Sequence, residues 1–188
     1  MTTVPTALDT RFREAAASEG LLDVGYDVLD TPVGALLVAA TPRGVCRISY
    51  DADPDAHAER FARAYGIRVL RAPRAVDAVR RELDEYFEGK REAFDLSLDL
   101  SGAAEFTRDV LAELARVPFG ETTTYGHLAT RVGRPRAARA VGTVMNRNPI
   151  PIVLPCHRVV GSSGSLVGYA GGLERKQALL RLEGARLF

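Results

Sequence analysis

The spacing of apolar residues changes near Ser101, and this change restricts the fold more than any other feature of the sequence. Before it, apolar residues alternate over three short segments, 24–29, 35–40 and 45–50, which predict an antiparallel meander of strands. After it, they recur at helical spacing. The 188 residues are therefore predicted to be α+β, with a small N-terminal antiparallel sheet domain with helices over 1–100 and a mainly helical domain over 101–188.

Further elements are predicted within the first hundred residues. Asp53 or Asp55 caps a helix that runs to Tyr65, and a second helix covers 75–87 and stops at Gly89. A short strand is expected near Arg68, and the alternation over 94–100 predicts an edge strand.

A helix-turn-helix is predicted in the second half of the chain. A short helix from Tyr125 to Arg131 is followed by the turn 132–134, and Pro135 then opens a helix that reaches Met145. The outer face of this second helix carries Arg136, Arg139 and Thr143, and its other residues are mostly small (Ala137, Ala138, Ala140, Gly142). Small residues allow close backbone approach, which favours a helix that reads DNA shape or the minor groove.

Positive charge is concentrated in the same region. No Asp or Glu occurs between Glu121 and Glu174, whereas six arginines do: Arg131, Arg134, Arg136, Arg139, Arg147 and Arg158. The rest of the chain has 19 basic and 24 acidic residues. Such a block is typical of a protein that binds a phosphate-bearing partner, and a solvated arginine-rich face is the alternative.

The cysteines argue against a disulfide framework or a zinc site. Cys46 and Cys156 are far apart, and the three histidines fit no ligand spacing, so we expect no metal. Residues 1–20 contain no apolar run of secretory length and no stretch is long enough to span a membrane, which predicts a cytoplasmic protein.

Cys156 lies in a segment suited to nucleophilic chemistry. Pro149, Pro151 and Pro155 frame an apolar, strand-like run that presents the thiol at a fixed point. The potential cations His157 and Arg158 are expected to depress the pKa of the thiol. An inert buried cysteine remains the alternative, and it is the favoured one for Cys46, to which we assign no chemistry.

Four motifs together resemble the O6-alkylguanine-DNA alkyltransferases. They are Pro155-Cys156-His157-Arg158-Val159, the preceding Asn148-Pro149, the helix Arg136-Ala137-Ala138-Arg139-Ala140-Val141-Gly142, and Gly168-Tyr169-Ala170-Gly171-Gly172-Leu173. The resemblance is dense from about Phe106 to Gly184 and looser before it, where it implies a ribonuclease-H-like domain.

The resemblance implies DNA repair without a cofactor. Cys156 would irreversibly accept the alkyl group from O6-alkylguanine, and also from O4-alkylthymine, once per molecule. His157, a water and Glu183 would form the relay that activates the thiol. The implied partner is double-stranded DNA bound through the minor groove, by a monomer.

The resemblance also implies roles for residues around the thiol. Tyr125 would help rotate the nucleotide out and protonate the departing guanine, Arg139 would fill the vacated stack, and Asn148 would brace the turn. Tyr169, Ala170 and the following glycines would line the guanine pocket; Ala170 stands where some relatives have Ser, which leaves the tolerated alkyl groups open. Further DNA contacts are expected from Arg136, Gly142, Thr143 and Arg158.

Two other classes of function are compatible with parts of this pattern. A non-catalytic binder, either a protein that flags alkyl lesions or a transcription regulator, could use the same helix-turn-helix. The presence of Cys156 distinguishes the chain from related flagging proteins, which lack the acceptor cysteine. A thiol hydrolase is the third class, but its base histidine is expected far from the cysteine in sequence.

Overall fold

The computed structural model describes residues 8, 11, 13, 15, 16 and 19–185. Most of the segment 1–20, in which the sequence predicts no secretory signal, thus lies outside the described residues. The chain divides into two compact units, one of Met1–Asp84 with Leu96–Asp99 and the other of Glu85–Asp95 with Leu100–Phe188.

The first unit is built on a four-stranded sheet. Its strands are β1 (Val24–Leu29), β2 (Leu36–Thr41), β3 (Gly44–Ser49) and β4 (Val69–Arg71), in the order β3-β2-β1-β4. The predicted antiparallel meander β1-β2-β3 is confirmed, but β4 pairs with β1 in parallel, so the sheet is mixed and not wholly antiparallel. A helix between β3 and β4 returns the chain across the sheet, and such a crossover allows parallel pairing.

That crossover helix, α1 (Pro54–Tyr65), begins where the sequence predicts. The side chain of Asp53 caps it by accepting a hydrogen bond from the backbone N–H of Asp55 at 3.0 Å. Its buried Phe61 packs on a core formed with Val24, Leu37, Ala39 and Cys46. A 3₁₀ turn (Pro73–Val76) then leads into α2 (Asp77–Phe87).

The edge strand predicted over 94–100 does not form. Only Leu98 makes an isolated bridge, to Val45 of β3, flanked by the hydrogen bonds from Val45 N to Ser97 O and from Asp99 N to Val45 O. The pairing of β2 with β3 shifts register at Ala39/Ala40, close to Val45, and this irregularity stops a ladder from extending there.

The second unit is mainly helical, which confirms the α+β class. Its elements are α3 (Glu105–Leu114), β5 (Thr123–Thr124), α4 (Tyr125–Arg131), α5 (Ala138–Asn146), β6 (Val159–Val160) and α6 (Leu173–Leu182). The two short strands pair in parallel. The apolar core has buried residues from four helices and from the segment before β6: Val110, Leu111, Leu114, Leu128, Val141, Val144, Met145, Ile150, Ile152, Leu154, Leu179 and Leu180. No helix among the described residues has the length and apolar character needed to cross a membrane.

The helix-turn-helix forms with a later second helix than predicted. Gly133 has a φ of +71°, and the hydrogen bonds from Gly133 N to Thr130 O and from Arg134 N to Ala129 O close α4 in a Schellman motif. Pro135 does not open α5. It lies in a turn closed by Ala137 N to Arg134 O at 2.8 Å, because its fixed φ suits the second position of a turn as well as a first helical position.

Candidate functional site

The segment that leads to Cys156 is a tight turn and not the strand-like run predicted from its prolines. Asn148 holds the turn from inside: its Oδ1 accepts from Ile150 N at 3.0 Å, and its Nδ2 donates to Leu154 O at 2.8 Å. Ile152 has a φ of +75°, in the left-handed region that non-glycine residues rarely adopt. These side-chain bonds to backbone groups replace the ladder of a strand and fix the point at which Cys156 emerges.

The thiol of Cys156 is buried at the start of a 3₁₀ turn (Cys156–Arg158). Burial raises its pKa to about 11, although hydrogen bonds from Asn148 and Tyr169 and the charge of Lys176 act in the opposite direction. The predicted depressed pKa is therefore wrong. At neutral pH the sulfur is protonated, and it needs a base to become a thiolate.

His157 is placed to be that base. It is fully buried, and its Nε2 lies 2.8 Å from Oε1 of Glu183. Burial lowers the pKa of His157, outweighing Glu183, so the ring is neutral and Nε2 carries the proton that the carboxylate accepts. Nδ1 is then an unprotonated acceptor, and within the part of the chain that the structure describes it has no hydrogen-bond partner.

Glu183, at the end of α6, accepts five hydrogen bonds. Oε1 accepts from His157 Nε2 at 2.8 Å, Tyr86 OH at 2.6 Å and Arg158 Nη2 at 2.9 Å, and Oε2 accepts from Arg158 Nε at 2.8 Å and Gly120 N at 3.3 Å. Burial acts to raise the pKa of Glu183, but the bonds from His157, Arg158 and Tyr86 lower it to about 2. The carboxylate is therefore charged throughout the physiological range.

Arg158 does not lie where a DNA contact requires it. It is buried, its guanidinium forms the ion pair with Glu183, and its Nη1 donates to Val117 O at 2.6 Å. The prediction that Arg158 binds DNA is wrong for this structure, because its side chain is buried and its positive charge is paired with the buried carboxylate of Glu183.

Lys176 is a buried cation that the sequence analysis missed. Its Nζ donates to Val159 O at 2.6 Å and to Val167 O at 2.9 Å, which ties β6 to the loop that carries Tyr169. Burial lowers its pKa to about 8. A signal was present in the sequence, since Lys176 is three and four residues before Leu179 and Leu180 and so falls on the apolar stripe of its helix.

Tyr125 and the predicted pocket residues Tyr169 and Ala170 lie in or near this loop. Tyr125 is half-buried, its hydroxyl donates to Val167 O at 3.5 Å, and burial raises its pKa. A Cβ at Gly142 would lie 3.8 Å from the Tyr125 ring, so α5 approaches this tyrosine closely. Tyr169 is half-buried and Ala170 exposed.

The predicted DNA-contact residues of the second helix divide between two elements. Arg139 and Thr143 are exposed on α5, and the Thr143 hydroxyl donates to Arg139 O at 3.3 Å. Arg136 is exposed but lies in the turn before α5, so the predicted single helical face of Arg136, Arg139 and Thr143 is wrong. Among the described residues, no three His, Cys, Asp or Glu side chains cluster closely enough to hold a metal ion.

Two protein-family models match the chain. The ribonuclease-like domain of 6-O-methylguanine DNA methyltransferase matches residues 24–100, and the DNA binding domain of the same family matches residues 105–185. A methylated-DNA–protein-cysteine methyltransferase of Methanosarcina barkeri is 41% identical over 167 residues, which cover 84% of this chain and 96% of that protein. A Mycolicibacterium paratuberculosis protein of the same name is 53% identical over 111 residues, 59% of this chain and 67% of its own length.

Solved structures are similar over most of the chain. The O6-methylguanine methyltransferase of Mycobacterium tuberculosis has a TM-score of 0.73 and 36% identity, covering 86% of this chain and 93% of its own. A structure of Mycobacterium tuberculosis OGT in complex with DNA has a TM-score of 0.74 and 38% identity, covering 85% of this chain and 92% of its own.

Proposed function

Because this chain belongs to the 6-O-methylguanine DNA methyltransferase family, we propose that Cys156 is the cysteine to which it transfers the alkyl group of damaged DNA. The chain is a methylated-DNA–protein-cysteine methyltransferase, which confirms the resemblance found in the sequence. The observation that carries the assignment of Cys156 is its neighbour: a neutral His157 whose Nε2 is bound to Glu183 and whose Nδ1 is unprotonated and unpartnered within the described structure.

Among the residues that the structure describes, the hydrogen-bond partners of Cys46 include no such base. It lies in the core of the first unit, where its thiol donates to Ala39 O at 3.4 Å, and burial raises its pKa to about 12. Neither that carbonyl oxygen nor the Tyr65 hydroxyl, which also hydrogen-bonds to Cys46 and has a pKa raised to about 12 by burial, can take the thiol proton at neutral pH. Cys46 is therefore a poor acceptor, and Cys156 is the candidate that remains.

The chemistry follows from the proton positions. The thiol proton of Cys156 passes to Nδ1 of His157, through a water as the family resemblance implies, and Glu183 stabilises the resulting imidazolium. The thiolate attacks the alkyl carbon, a C–S bond forms, and the bond from that carbon to guanine O6 breaks. The electron pair goes to the guanine, which takes up a proton; Tyr125, half-buried near the site, is the proposed donor.

Asn148 and Tyr169 are proposed to hold the sulfur. Both donate hydrogen bonds to the Cys156 thiol that act to lower its pKa, and they therefore favour the thiolate as it forms. Asn148 also fixes the turn before Cys156, so it would align the sulfur as well as stabilise it. A thioether product has no route back to the thiol in this site, which makes one turnover per molecule the expected stoichiometry.

The DNA partner is proposed to approach α5 through the minor groove. Arg139 and Thr143 are exposed on a helix whose other outward-facing residues mostly have small side chains, and a helix of this kind can lie close to the DNA backbone. The alkyl carbon is unreachable inside a duplex, so the base must leave the stack, at a cost of a few kcal/mol. Insertion of Arg139 into the vacated stack is proposed to offset that cost.

We also propose a cytoplasmic monomer. Both cysteines are free thiols, as expected in a reducing compartment, and the monomer rests on the family resemblance. Transfer from O4-alkylthymine as well as from O6-alkylguanine is a further proposal, and it rests on the family resemblance.

The test is mass spectrometry after mixing the protein with excess duplex DNA containing O6-methylguanine. We expect one methyl group on the peptide that contains Cys156, after which the reaction stops. Cys156→Ser should remove the label, whereas the matched variant Cys46→Ser should keep it. Continued turnover or a label on Cys46 would contradict the assignment, and DNA binding without any label would favour the non-catalytic binder.

A further inference from the structure

Tyr86 is a buried tyrosine whose phenol reaches the relay carboxylate. We propose that Tyr86 is a positioning residue for the proton relay, which sets how strongly Glu183 supports a proton on His157. Its hydroxyl donates to Oε1 of Glu183 at 2.6 Å, and His157 Nε2 lies 2.8 Å from the same oxygen. The inference rests on the proposed function, because it concerns the base that takes the thiol proton.

The ring of Tyr86 is fixed by its surroundings. It is fully buried near the end of α2, and its centroid lies 5.3 Å from those of Phe87 and Phe94 and 6.1 Å from that of Phe119. Phenylalanine would fill this aromatic cluster equally well, so packing alone does not require a hydroxyl. What the hydroxyl adds is a bond of fixed direction to Glu183.

That bond competes with His157 for one oxygen. Each hydrogen-bond donor stabilises the negative charge of the carboxylate. An Oε1 that already accepts a bond from the Tyr86 hydroxyl therefore attracts the N–H of His157 less strongly. The other charged groups around the pair are Arg158, which donates to both oxygens, and Lys176, whose positive charge acts to lower the pKa of His157; the acceptor Cys156 is adjacent in the chain. Tyr86 is neutral, so removing its hydroxyl changes the relay without changing its net charge.

The expected consequence is a shift in the pH dependence of transfer. Without the phenol, Glu183 holds the proton of an imidazolium more strongly, and His157 titrates at a higher pH. Only neutral His157 can accept the thiol proton, so the acid limb of the rate profile should move to higher pH. A loss of packing alone would lower stability without moving that midpoint.

The experiment is a pH series of single-turnover rates for Tyr86→Phe in the full chain, with O6-methylguanine duplex DNA. We expect the midpoint of the acid limb to rise by about half a pH unit, the size of one net hydrogen bond. The control is Phe94→Leu, which loosens the packing on the Tyr86 ring but keeps the hydroxyl; it should lower the thermal midpoint of unfolding and leave the pH midpoint unchanged. Tyr86→Met, which also lacks the hydroxyl, serves if Tyr86→Phe does not fold.

An unchanged pH midpoint in the variant, or an equal shift in Phe94→Leu, would overturn the role of Tyr86. If the wild-type chain shows no transfer at all, the proposed function fails instead, and NMR titration of the His157 ring then tests the inference separately. A pKa of His157 that is higher in Tyr86→Phe than in the wild type supports it, and an unchanged pKa overturns it.

Discussion

At the scale of single residues, one buried carboxylate organises the candidate site. Glu183 accepts hydrogen bonds from His157, Tyr86 and Arg158. Burial alone would raise its pKa, but these bonds lower it to about 2. An isolated buried charge would be costly, and so would the Arg158 guanidinium without it. The carboxylate is therefore needed for the stability of the fold as well as for the proton relay.

We predict that Glu183→Gln lowers the free energy of unfolding by roughly 3 kcal/mol at neutral pH, because it leaves Arg158 buried without a counter-charge. A carboxyl with a lowered folded-state pKa stabilises above its ordinary pKa, near 4.5, and loses that contribution as the pH falls towards 2. The difference between wild type and variant should thus narrow below about pH 4.5. Urea unfolding at a series of pH values measures it.

The matched control is Glu174→Gln in the first turn of the same helix, where the side chain is exposed. It should change the unfolding free energy by less than about 0.5 kcal/mol at any pH. A difference for Glu183→Gln that is equally large in acid and at neutral pH would mean that the pKa of Glu183 is not lowered.

Arg139 supports a second prediction at this scale. If it stabilises a base that has left the stack, Arg139→Ala should slow transfer from a well-paired duplex far more than transfer from free O6-benzylguanine, which needs no extrusion. Arg136→Ala is the control, since Arg136 is also exposed but lies in the turn before α5. At saturating DNA it should leave both rates close to the wild type. Equal slowing of both substrates by Arg139→Ala would withdraw the role in the stack.

The motif around Cys156 was enough to predict the residues of the candidate site, but not their protonation. The sequence places His157 and Arg158 beside the thiol, and from adjacency both were expected to act on it. In the structure both contact Glu183, which is 25 or more positions away, and burial decides the pKa of the sulfur. Tyr86 and Lys176 were missed for the same reason, because a polar group on an apolar stripe finds its partner only through long-range packing.

At the scale of elements, local signals were reliable and long-range pairing was not. The cap at Asp53 and the turns between β1, β2 and β3 act over a few residues, and they formed as predicted. The parallel pairing of β4 with β1 joins residues separated by the whole of α1, and no periodicity encodes it. The prediction that Pro135 opens a helix was wrong for a local reason, since its fixed φ fits both a turn and a helix start.

The Schellman motif at the end of α4 predicts opposite changes in stability for alanine substitutions at two glycines. Among the described residues, no atom other than those of its two neighbours in the chain lies within 4 Å of a Cβ placed at Gly133, so Gly133→Ala meets no clash, but its φ of +71° is strained for alanine. We expect a loss of about 1 kcal/mol in the free energy of unfolding, with a smaller loss for Gly133→Asn.

Gly126, within the same helix, is the matched control. It has no positive φ, and its Cβ position is open except for Thr124 Oγ1 at 4.0 Å, so Gly126→Ala should stabilise the protein by up to about 1 kcal/mol. Thermal or urea unfolding of the variants measures both effects. Losses of equal size at the two glycines would mean that α4 does not end in the left-handed turn.

At the scale of the whole molecule, the basic block is smaller than the sequence indicates. Six arginines lie between Glu121 and Glu174, but Arg158 is buried against Glu183 and is not available to a phosphate. Arg131 is exposed but paired with Glu113 at 3.0 Å, a surface ion pair that DNA can displace at little cost. Five arginines are left to supply the attraction of this block for DNA.

The affinity for duplex DNA should therefore fall with salt at a log-log slope no steeper than about −4.5 if these five account for it, at roughly −0.9 per phosphate contact. Equilibrium titrations at several salt concentrations measure the slope. Arg134→Ala should reduce it by about 0.9, because an exposed cation is removed. Arg158→Met should leave the slope unchanged while lowering the free energy of unfolding, since it removes a buried ion pair and no phosphate contact. A smaller slope in Arg158→Met would mean that Arg158 contacts a phosphate. The ion pair with Glu183 would then be absent from the DNA-bound protein.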